Sequence, residues 1–270
     1  MYLLMKFGAS IEEQIAGLIH DVSHSAFSHC IDYIGGIEGQ KDQTHQDDVF
    51  ENFVRASKIP EIVKKHNLNI EYILNDSHFP LKETELPDLC TDRMDYSLRA
   101  GVMHKAITCK DVQYFLENIT ATNGKWIFKN FESAKWYAEL FLKVSSTYFS
   151  SIESAVMLSS VGAYLKYGLE KKYITSEDIY TTDTLVLTKM QPFHEADTHL
   201  LHLFLQMSNH IPFKNNPAHY SSHVFCKSRV VDPLFFDAHE IKRVSDADHI
   251  WKSQLKEESK PKEYFIEFET

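Results

Sequence analysis

The sequence predicts a mainly α-helical fold with one β-hairpin near residues 119–129 and a small α+β part at the C-terminal end. Three observations carry that expectation. Apolar residues recur at three- and four-residue spacing through most of the first 210 positions, the mark of helices with one buried face. Only 9 Gly and 8 Pro occur in 270 residues, too few for the repeated turns of an all-β chain. After Pro212 the composition changes, and two segments there alternate every second residue, which sends side chains to opposite faces of a strand. The expected organisation is a helical domain over 1–210 and a small α+β segment over 211–270 packed on it.

Met1-Tyr-Leu-Leu-Met resembles the last turns of a helix, so the N-terminal helix is expected to be incomplete. Ile11, Ile15, Leu18 and Ile19 fall at i, i+4, i+7 and i+8, one face of a helix that Ser10 caps with Glu13 as its box partner. Phe27 to Ile34 continues helically to Gly35-Gly36, and polar residues 35–44 read as a loop. Thr44 caps a helix that opens at His45 and carries Val49, Phe50, Phe53 and Val54. Pro60 starts a short helix, Ile70 to Leu74 forms another, and residues 76–84 read as loop. A strong helix is expected from Leu86 to Ala100, with Pro87 in its first turn and Gly101 as its stop. Asp111 to Ile119 reads as helix, and Asn123-Gly124 between alternating apolar residues then marks the hairpin. Helices follow over 131–149, 151–168, 176–190 and 194–209. His223 to Asp232 and Tyr264 to Glu269 alternate as strands, and the charged run Lys252 to Lys262 reads as a solvated helix end and loop.

Composition narrows the function classes. Hydrophobic residues at 43% and charged residues at 24% are ordinary for a soluble globular protein. A net charge of −10 argues against a nonspecific nucleic-acid binder, while leaving room for a local basic pocket for a small anion. Cys30, Cys90, Cys109 and Cys226 are widely separated, so they read as free thiols in a reducing compartment: the cytoplasm, with the nucleus left open. Every apolar run stops well short of the roughly 18 residues of a membrane span. There is no Gly-x-x-x-x-Gly-Lys phosphate loop and no Gly-x-Ser-x-Gly elbow.

Two stretches carry chemistry. Ile19-His-Asp-Val-Ser-His-Ser-Ala-Phe-Ser-His29 places His20, Asp21, His24 and His29 within ten residues, directly after an apolar helix. On a helix His20 and His24 share a face, and the adjacent His20 and Asp21 can both reach one ion lying between their directions. Solvated or capping histidines are the plainer alternative, set against the need of buried imidazoles and carboxylates for partners. The second stretch, Asp88-Leu-Cys-Thr-Asp-Arg-Met-Asp-Tyr-Ser-Leu-Arg99, aligns Asp88, Asp92, Asp95 and Arg99 along one helical face. Taken alone it could be a solvated stripe with an Asp95–Arg99 pair; with His20-Asp21 it offers Asp92 as the distant carboxylate of a metal site. A mixed nitrogen and oxygen set suits Mn, Fe, Zn, Ni or Mg.

These residues, with His45 between them, resemble the HD-domain phosphohydrolases, within which they look most like the deoxynucleoside-triphosphate triphosphohydrolase branch. The patterns there are His-Asp-(Ile/Leu)-Gly-His-Gly-Pro-Phe-Ser-His, a later His-Glu, and Asp-(Lys/Arg)-x-Asp-Tyr. Arg229-Val-Val-Asp-Pro-Leu is also similar to that branch's C-terminal segment. The resemblance implies an HD-type helical bundle holding a divalent metal ion. It makes His20, Asp21 and Asp92 metal ligands, and His24 and His45 the groups for proton transfer or contact with the attacked phosphate. It brings His29 and Arg93 to the phosphates and Tyr96 to the substrate sugar. The implied reaction is hydrolysis of a nucleotide or related phosphate ester or anhydride, with the metal neutralising developing charge and an imidazole protonating the leaving oxygen. A homo-oligomer is implied by the resemblance alone.

The sequence also departs from the pattern. Family members carry a further metal-binding histidine upstream, within Arg-x-x-His-Ser, whereas residues 1–19 hold no His and no Asp. Ser23 stands for Gly, Ser25-Ala26 for Gly-Pro and Gln46 for Glu. Ala100 occupies a position where some relatives have Asp. No Tyr-x-His occurs around Ser145 to Ser154, where Tyr148 is the nearest candidate. These differences support a second expectation, a catalytically impaired HD protein that binds a nucleotide or serves as an interaction scaffold. His194, His199 and His202 read as core-edge histidines rather than a second metal site, and Trp136, Tyr137 and Phe141 as core or a subunit contact.

Overall fold

The computed structural model describes residues 1–35, 37–238 and 240–269. Helices hold 57% and strands 12% of the chain, so it is mainly α rather than all-α. Among the described residues seven strands, β1 (Ile119–Thr122), β2 (Lys125–Phe128), β3 (Phe213–Asn215), β4 (Ser222–Cys226), β5 (Leu234–Asp237), β6 (Glu240–Arg243) and β7 (Lys262–Phe268), form two sheets. Their orders are β1-β2-β5-β6 and β3-β7-β4. Among the described residues no helix is long and apolar enough to cross a membrane.

The chain divides into two compact units, each discontinuous in sequence. The first comprises Met1–His20, Ser57–Tyr148 and Ser228–Lys260; the second comprises Asp21–Ala56, Phe149–Lys227 and Pro261–Thr270. The sequence boundary at 210 thus falls inside the second unit. The physical reason is sheet pairing: β5 joins β2 in parallel (Ile127 opposite Leu234), whereas β7 pairs with β3 and β4.

In the first unit Phe115, Phe128 and Tyr137 form a fully buried aromatic centre with ring centroids 5.0–5.7 Å apart. Tyr137 meets Ser97 Oγ through its hydroxyl at 2.9 Å, which satisfies both buried groups. The hairpin forms as its sequence predicts, because Asn123 (φ 52°) and Gly124 (φ 71°) accept the left-handed turn that matches strand twist. Ser10 caps the Ile11–Ile19 helix by accepting from Glu13 N–H (3.1 Å). Glu13 itself is buried, and its Oε1 accepts the backbone N–H groups of Leu81 (3.0 Å) and Lys82 (3.1 Å). Leu81 carbonyl in turn receives Thr91 N–H (2.9 Å), Thr91 hydroxyl (2.8 Å) and Trp126 indole (3.0 Å). This chain of bonds fixes where the Thr91–Met103 helix begins.

That helix corrects the expected Leu86–Ala100 span. Cys90 is extended (φ −130°, ψ 166°), and the Pro87 carbonyl accepts Asp232 N–H (2.8 Å), so residues 86–90 serve tertiary contacts. Gly101 continues the helix, and the left-handed residue past its end is Lys105 (φ 59°). Asp88 therefore leaves the helical stripe and pairs with Arg243 at 2.5 Å, while Arg99 and Asp95 form the exposed pair.

In the second unit the Ile152–Glu170 helix is central, packed by the Thr198–Met207 helix and the Ser28–Tyr33 turn of 3₁₀ helix. Gly162 permits the close approach of that turn: a Cβ there would lie 2.7 Å from Tyr33 Cβ and 3.1 Å from Cys30 O. Tyr33 donates to Phe225 O (2.9 Å), tying the turn to β4. Residues 37–42 are helical where a loop was expected, because Gln40 accepts Phe225 N–H (3.0 Å) and Gly39 lies against the Asp32 backbone. Gly36, part of the expected stop, lies outside the described residues. The expected 176–190 helix is two helices, Ser176–Ile179 and Asp183–Met190, because Thr182 opens a second cap. Asp197 likewise delays the next helix to Thr198. β4 ends at Cys226, short of the expected Asp232. β3, β5 and β6 are not marked by local alternation; β3 and β5 form on partners distant in sequence, and β6 pairs with the adjacent β5.

Two outcomes follow from this packing. Gly162→Ala forces the Ser28–Tyr33 turn outward, and the cost of about 1–3 kcal/mol exceeds the roughly 1 kcal/mol that alanine contributes in a helix; a lowered urea midpoint measures it. Asp248 caps the His249–Glu258 helix and meets Lys135 Nζ at 2.5 Å, which holds its carboxyl at about 2, below the usual 3.8. Its folded value is depressed, so its stabilisation is present above pH ~4 and disappears as pH falls toward about 2. Asp248→Asn therefore flattens the acid limb of the stability curve in that window, read by denaturant melts at stepped pH.

Candidate metal and phosphate site

The Ile11–Ile19 helix ends on His20, and the first turn of the Thr91–Met103 helix carries Asp92. Although 72 residues apart, their side chains meet: His20 Nε2 lies 3.1 Å from Asp92 Oδ1. The other ring nitrogen, Nδ1, lies 3.0 Å from Gly17 O. A carbonyl can only accept, so Nδ1 carries a proton, and Nε2 either turns a lone pair toward the carboxylate or, in the imidazolium, donates to it. Two acceptors at that distance repel unless a shared cation or a second ring proton joins them. A histidine held by a carbonyl on one nitrogen and aimed by the other is the usual arrangement of a metal-ligating imidazole.

Asp21, peptide-bonded to His20, supplies the third group. Ligand atoms of His20, Asp21 and Asp92 all lie within 4.8 Å of one another. Among the described residues this is the one set of His, Cys, Asp and Glu so arranged. The donor set of one imidazole and two carboxylates suits a borderline or hard divalent ion and leaves coordination positions open.

The remaining histidines cluster within the second unit. His24 Nε2 is 3.4 Å from Asp21 Oδ1, and its Nδ1 is 2.9 Å from Ser28 Oγ. His29 packs edge-on to His24 with centroids 5.1 Å apart. His29 Nδ1 also faces the buried Asp32 carboxylate at 3.5 Å. The other Asp32 oxygen accepts His45 N–H (3.1 Å), and His45 Nε2 meets the Tyr180 hydroxyl at 3.1 Å. The loop that carries His24 and His29 is strained, with Phe27 (φ 58°) and Ser28 (φ 48°) both left-handed. Non-glycine residues in that region cost on the order of 1–3 kcal/mol each, so surrounding bonds must hold them.

Two departures from the HD pattern prove to be linked. Ser23, fully buried, donates its hydroxyl to Gln46 O (3.2 Å), and Gln46 Nε2 donates to Asp21 Oδ1 (2.9 Å). An amide in place of a glutamate donates to Asp21 where a carboxylate would repel it.

The other expected site residues lie in the first unit. Arg93 is largely buried, and its guanidinium donates to Thr84 O (2.6 Å) and Asp88 O (3.2 Å) and pairs with Glu83 (3.2 Å). It braces the loop before Asp92. Tyr96 is tilted against Phe141 at 6.0 Å, and burial pushes its phenol up. Tyr148 stacks on His104 at 3.8 Å. Of the C-terminal histidines, His194 meets the Tyr164 hydroxyl (2.9 Å) and is lowered by burial, and His199 packs on Tyr167. Asp32 and Tyr180 were not singled out from sequence, and Gln46 was named only as a departure from the pattern. Asp32 had a signal, its i+3 spacing from His29; Tyr180, 135 residues from His45, had none.

No family model matches the chain. A metal-dependent phosphohydrolase of Cordyceps militaris, cns2, is 33% identical over 121 residues, 44% of this chain and 34% of that protein. The MG461 homologue of Mycoplasma pneumoniae, uncharacterised, is 26% identical over 132 residues, 43% of this chain and 30% of that protein. The chain therefore spans about a third of the length of these two relatives. Among solved structures, a phosphohydrolase of Bacteroides thetaiotaomicron superposes with a TM-score of 0.63 at 14% identity, covering 99% of this chain and 83% of that one. A hypothetical protein of Aquifex aeolicus gives 0.61 at 16% identity, covering 95% and 76%. Both share its fold. YdhJ of Bacillus subtilis, itself uncharacterised, is 33% identical over 237 residues, 87% of this chain and 71% of that protein. On that similarity the chain belongs to the family of YdhJ.

Proposed function

We propose that the chain is a metal-dependent phosphohydrolase of the HD-type superfamily, acting on a nucleotide or related phosphate ester or anhydride. The observation that carries this reading is the His20–Asp92 contact, an imidazole fixed against a carboxylate with Asp21 beside it. The similarity to cns2 supports it, as does the fold shared with the Bacteroides phosphohydrolase. The order of motifs supports the finer assignment to the dNTP-hydrolysing branch.

In this reading His20, Asp21 and Asp92 hold the divalent ion, which when bound stabilises charge on the phosphoryl oxygens and acidifies a water nucleophile. The protein's own groups do the rest. His24, oriented at Nδ1 by Ser28, and His45, held at its backbone by Asp32, move the proton to the leaving oxygen. His29 adds a donor toward the phosphates. Arg93 contacts a phosphate only on exchanging Glu83 for it; otherwise it fixes the loop that sets Asp92. Tyr96 packs at the sugar.

A second reading, binding without turnover, is favoured by the lack of any histidine in residues 1–19; among the described residues the candidate ligands are His20, Asp21 and Asp92. Elemental analysis and phosphate release from a nucleotide panel with Mn²⁺ separate the two. The enzyme retains metal and releases phosphate, and Asp92→Ala lowers release by about 100-fold or more together with metal content. Metal without release supports the binding reading, and full activity in both Asp21→Ala and Asp92→Ala sinks the metal site. Asp32→Ala leaves His45 N–H without its acceptor, which costs about 1–3 kcal/mol in urea melts and lowers activity in the same preparation.

A further inference from the structure

A short segment far from the histidine motif touches the motif loop and His45 by three hydrogen bonds. Ala26 N–H donates to Ile179 O (2.7 Å), and Phe27 N–H donates to Asp183 Oδ1 (2.8 Å). The Tyr180 hydroxyl meets His45 Nε2 (3.1 Å), with the two rings stacked at 6.3 Å and Phe53 tilted against the tyrosine at 6.3 Å. All of these residues belong to the second unit.

We infer that Ile179–Asp183 is the positioning element of the histidine cluster, with Asp183 holding the left-handed Phe27–Ser28 turn and Tyr180 fixing the His45 imidazole. The inference rests on the phosphohydrolase reading for its catalytic meaning, but not for its geometry. Two consecutive non-glycine residues at positive φ need an external restraint; Ser28 N–H closes locally on Ser25 O (2.9 Å), while this segment binds the N–H of Phe27 and that of Ala26 just before it. Without it the turn relaxes toward ordinary backbone. That relaxation carries Ser28 Oγ, and with it the Nδ1 anchor of His24, away from its place. The break between the Ser176–Ile179 and Asp183–Met190 helices fits the same purpose. Continuous helix through 180–182 would commit the Ile179 carbonyl to Asp183 N–H, four residues on, rather than to Ala26. Tyr180 is part-exposed and pays for no core packing, so its hydroxyl bond to His45 is its clearest structural task.

Asp183 also stands in the first turn of its own helix, where a carboxylate favours the helix dipole. Two substitutions separate the roles. Asp183→Asn keeps an acceptor oxygen for Phe27 N–H while removing the charge; Asp183→Ala removes both. Tyr180→Phe keeps the stacked ring and deletes the hydroxyl. In NMR spectra, Asp183→Ala is expected to speed amide hydrogen exchange at Ala26 and Phe27, with Asp183→Asn restoring most of the protection. Tyr180→Phe is expected to move the His45 imidazole ¹⁵N resonances and leave those of His194 in place. In Mn²⁺-supported phosphate release, Asp183→Ala and Tyr180→Phe lower kcat by about tenfold or more with KM changed less than threefold, and Asp183→Asn recovers most of the loss. Unchanged exchange and imidazole signals in folded variants overturn the inference, as does equal loss in Asp183→Asn and Asp183→Ala. A wild-type protein without phosphate release defeats the functional reading alone, because the exchange and ¹⁵N arms still decide the positioning role.

Discussion

An imidazole and a carboxylate brought together from positions 72 residues apart are the constraint on which this molecule turns. His20 Nδ1 donates to the Gly17 carbonyl, and the other ring nitrogen faces the Asp92 carboxylate. They stay together because each sits at a helix terminus whose position is set elsewhere. The Ile11–Ile19 helix is anchored by buried Glu13, which accepts two N–H groups of the 81–82 segment; the Leu81 carbonyl then receives Thr91 and so sets the start of the helix bearing Asp92. One buried carboxylate thus links both halves of the contact, and Arg93 braces the loop between from the other side.

The same device recurs: a carboxylate buried or half-buried against backbone N–H groups. Asp32 accepts His45 N–H, Asp232 accepts Ser245 N–H (3.0 Å) and hydroxyl (2.6 Å), and Asp248 accepts Ile250 and Trp251 N–H. Charge-assisted bonds of this kind are about twice as strong as neutral ones and direct the backbone without side-chain bulk. A net charge of −10 is therefore not all surface charge; part of it is structural. Where the pattern of the HD proteins is altered, the alterations compensate one another. Ser23 adds a hydroxyl that holds the Gln46 carbonyl, and Gln46 turns an amide donor to Asp21. The result is a neutral hydrogen-bond relay behind a site that already gathers carboxylates.

Local signals determined a good deal. Ile70–Leu74 forms over the residues its spacing predicts, Asn123-Gly124 makes the hairpin because both residues accept positive φ, and Ser10 caps the helix that ends on His20. The histidine stretch and the Asp-Arg-Met-Asp-Tyr stretch marked His20, Asp21 and Asp92 because their residue types and spacing are chemical information carried within a few positions. Tertiary structure alone decided the rest. Whether Pro87 opened a helix depended on the Pro87 carbonyl binding Asp232, and whether residues 37–42 stayed a loop depended on Gln40 finding β4. The parallel pairing of β2 with β5 and the contact of Tyr180 with His45 join segments whose separation leaves no local trace. Propensity, capping and motif chemistry act over one or two turns and are written in sequence, whereas a hydrogen bond between residues more than a hundred positions apart exists only once the chain has folded to bring its two ends together.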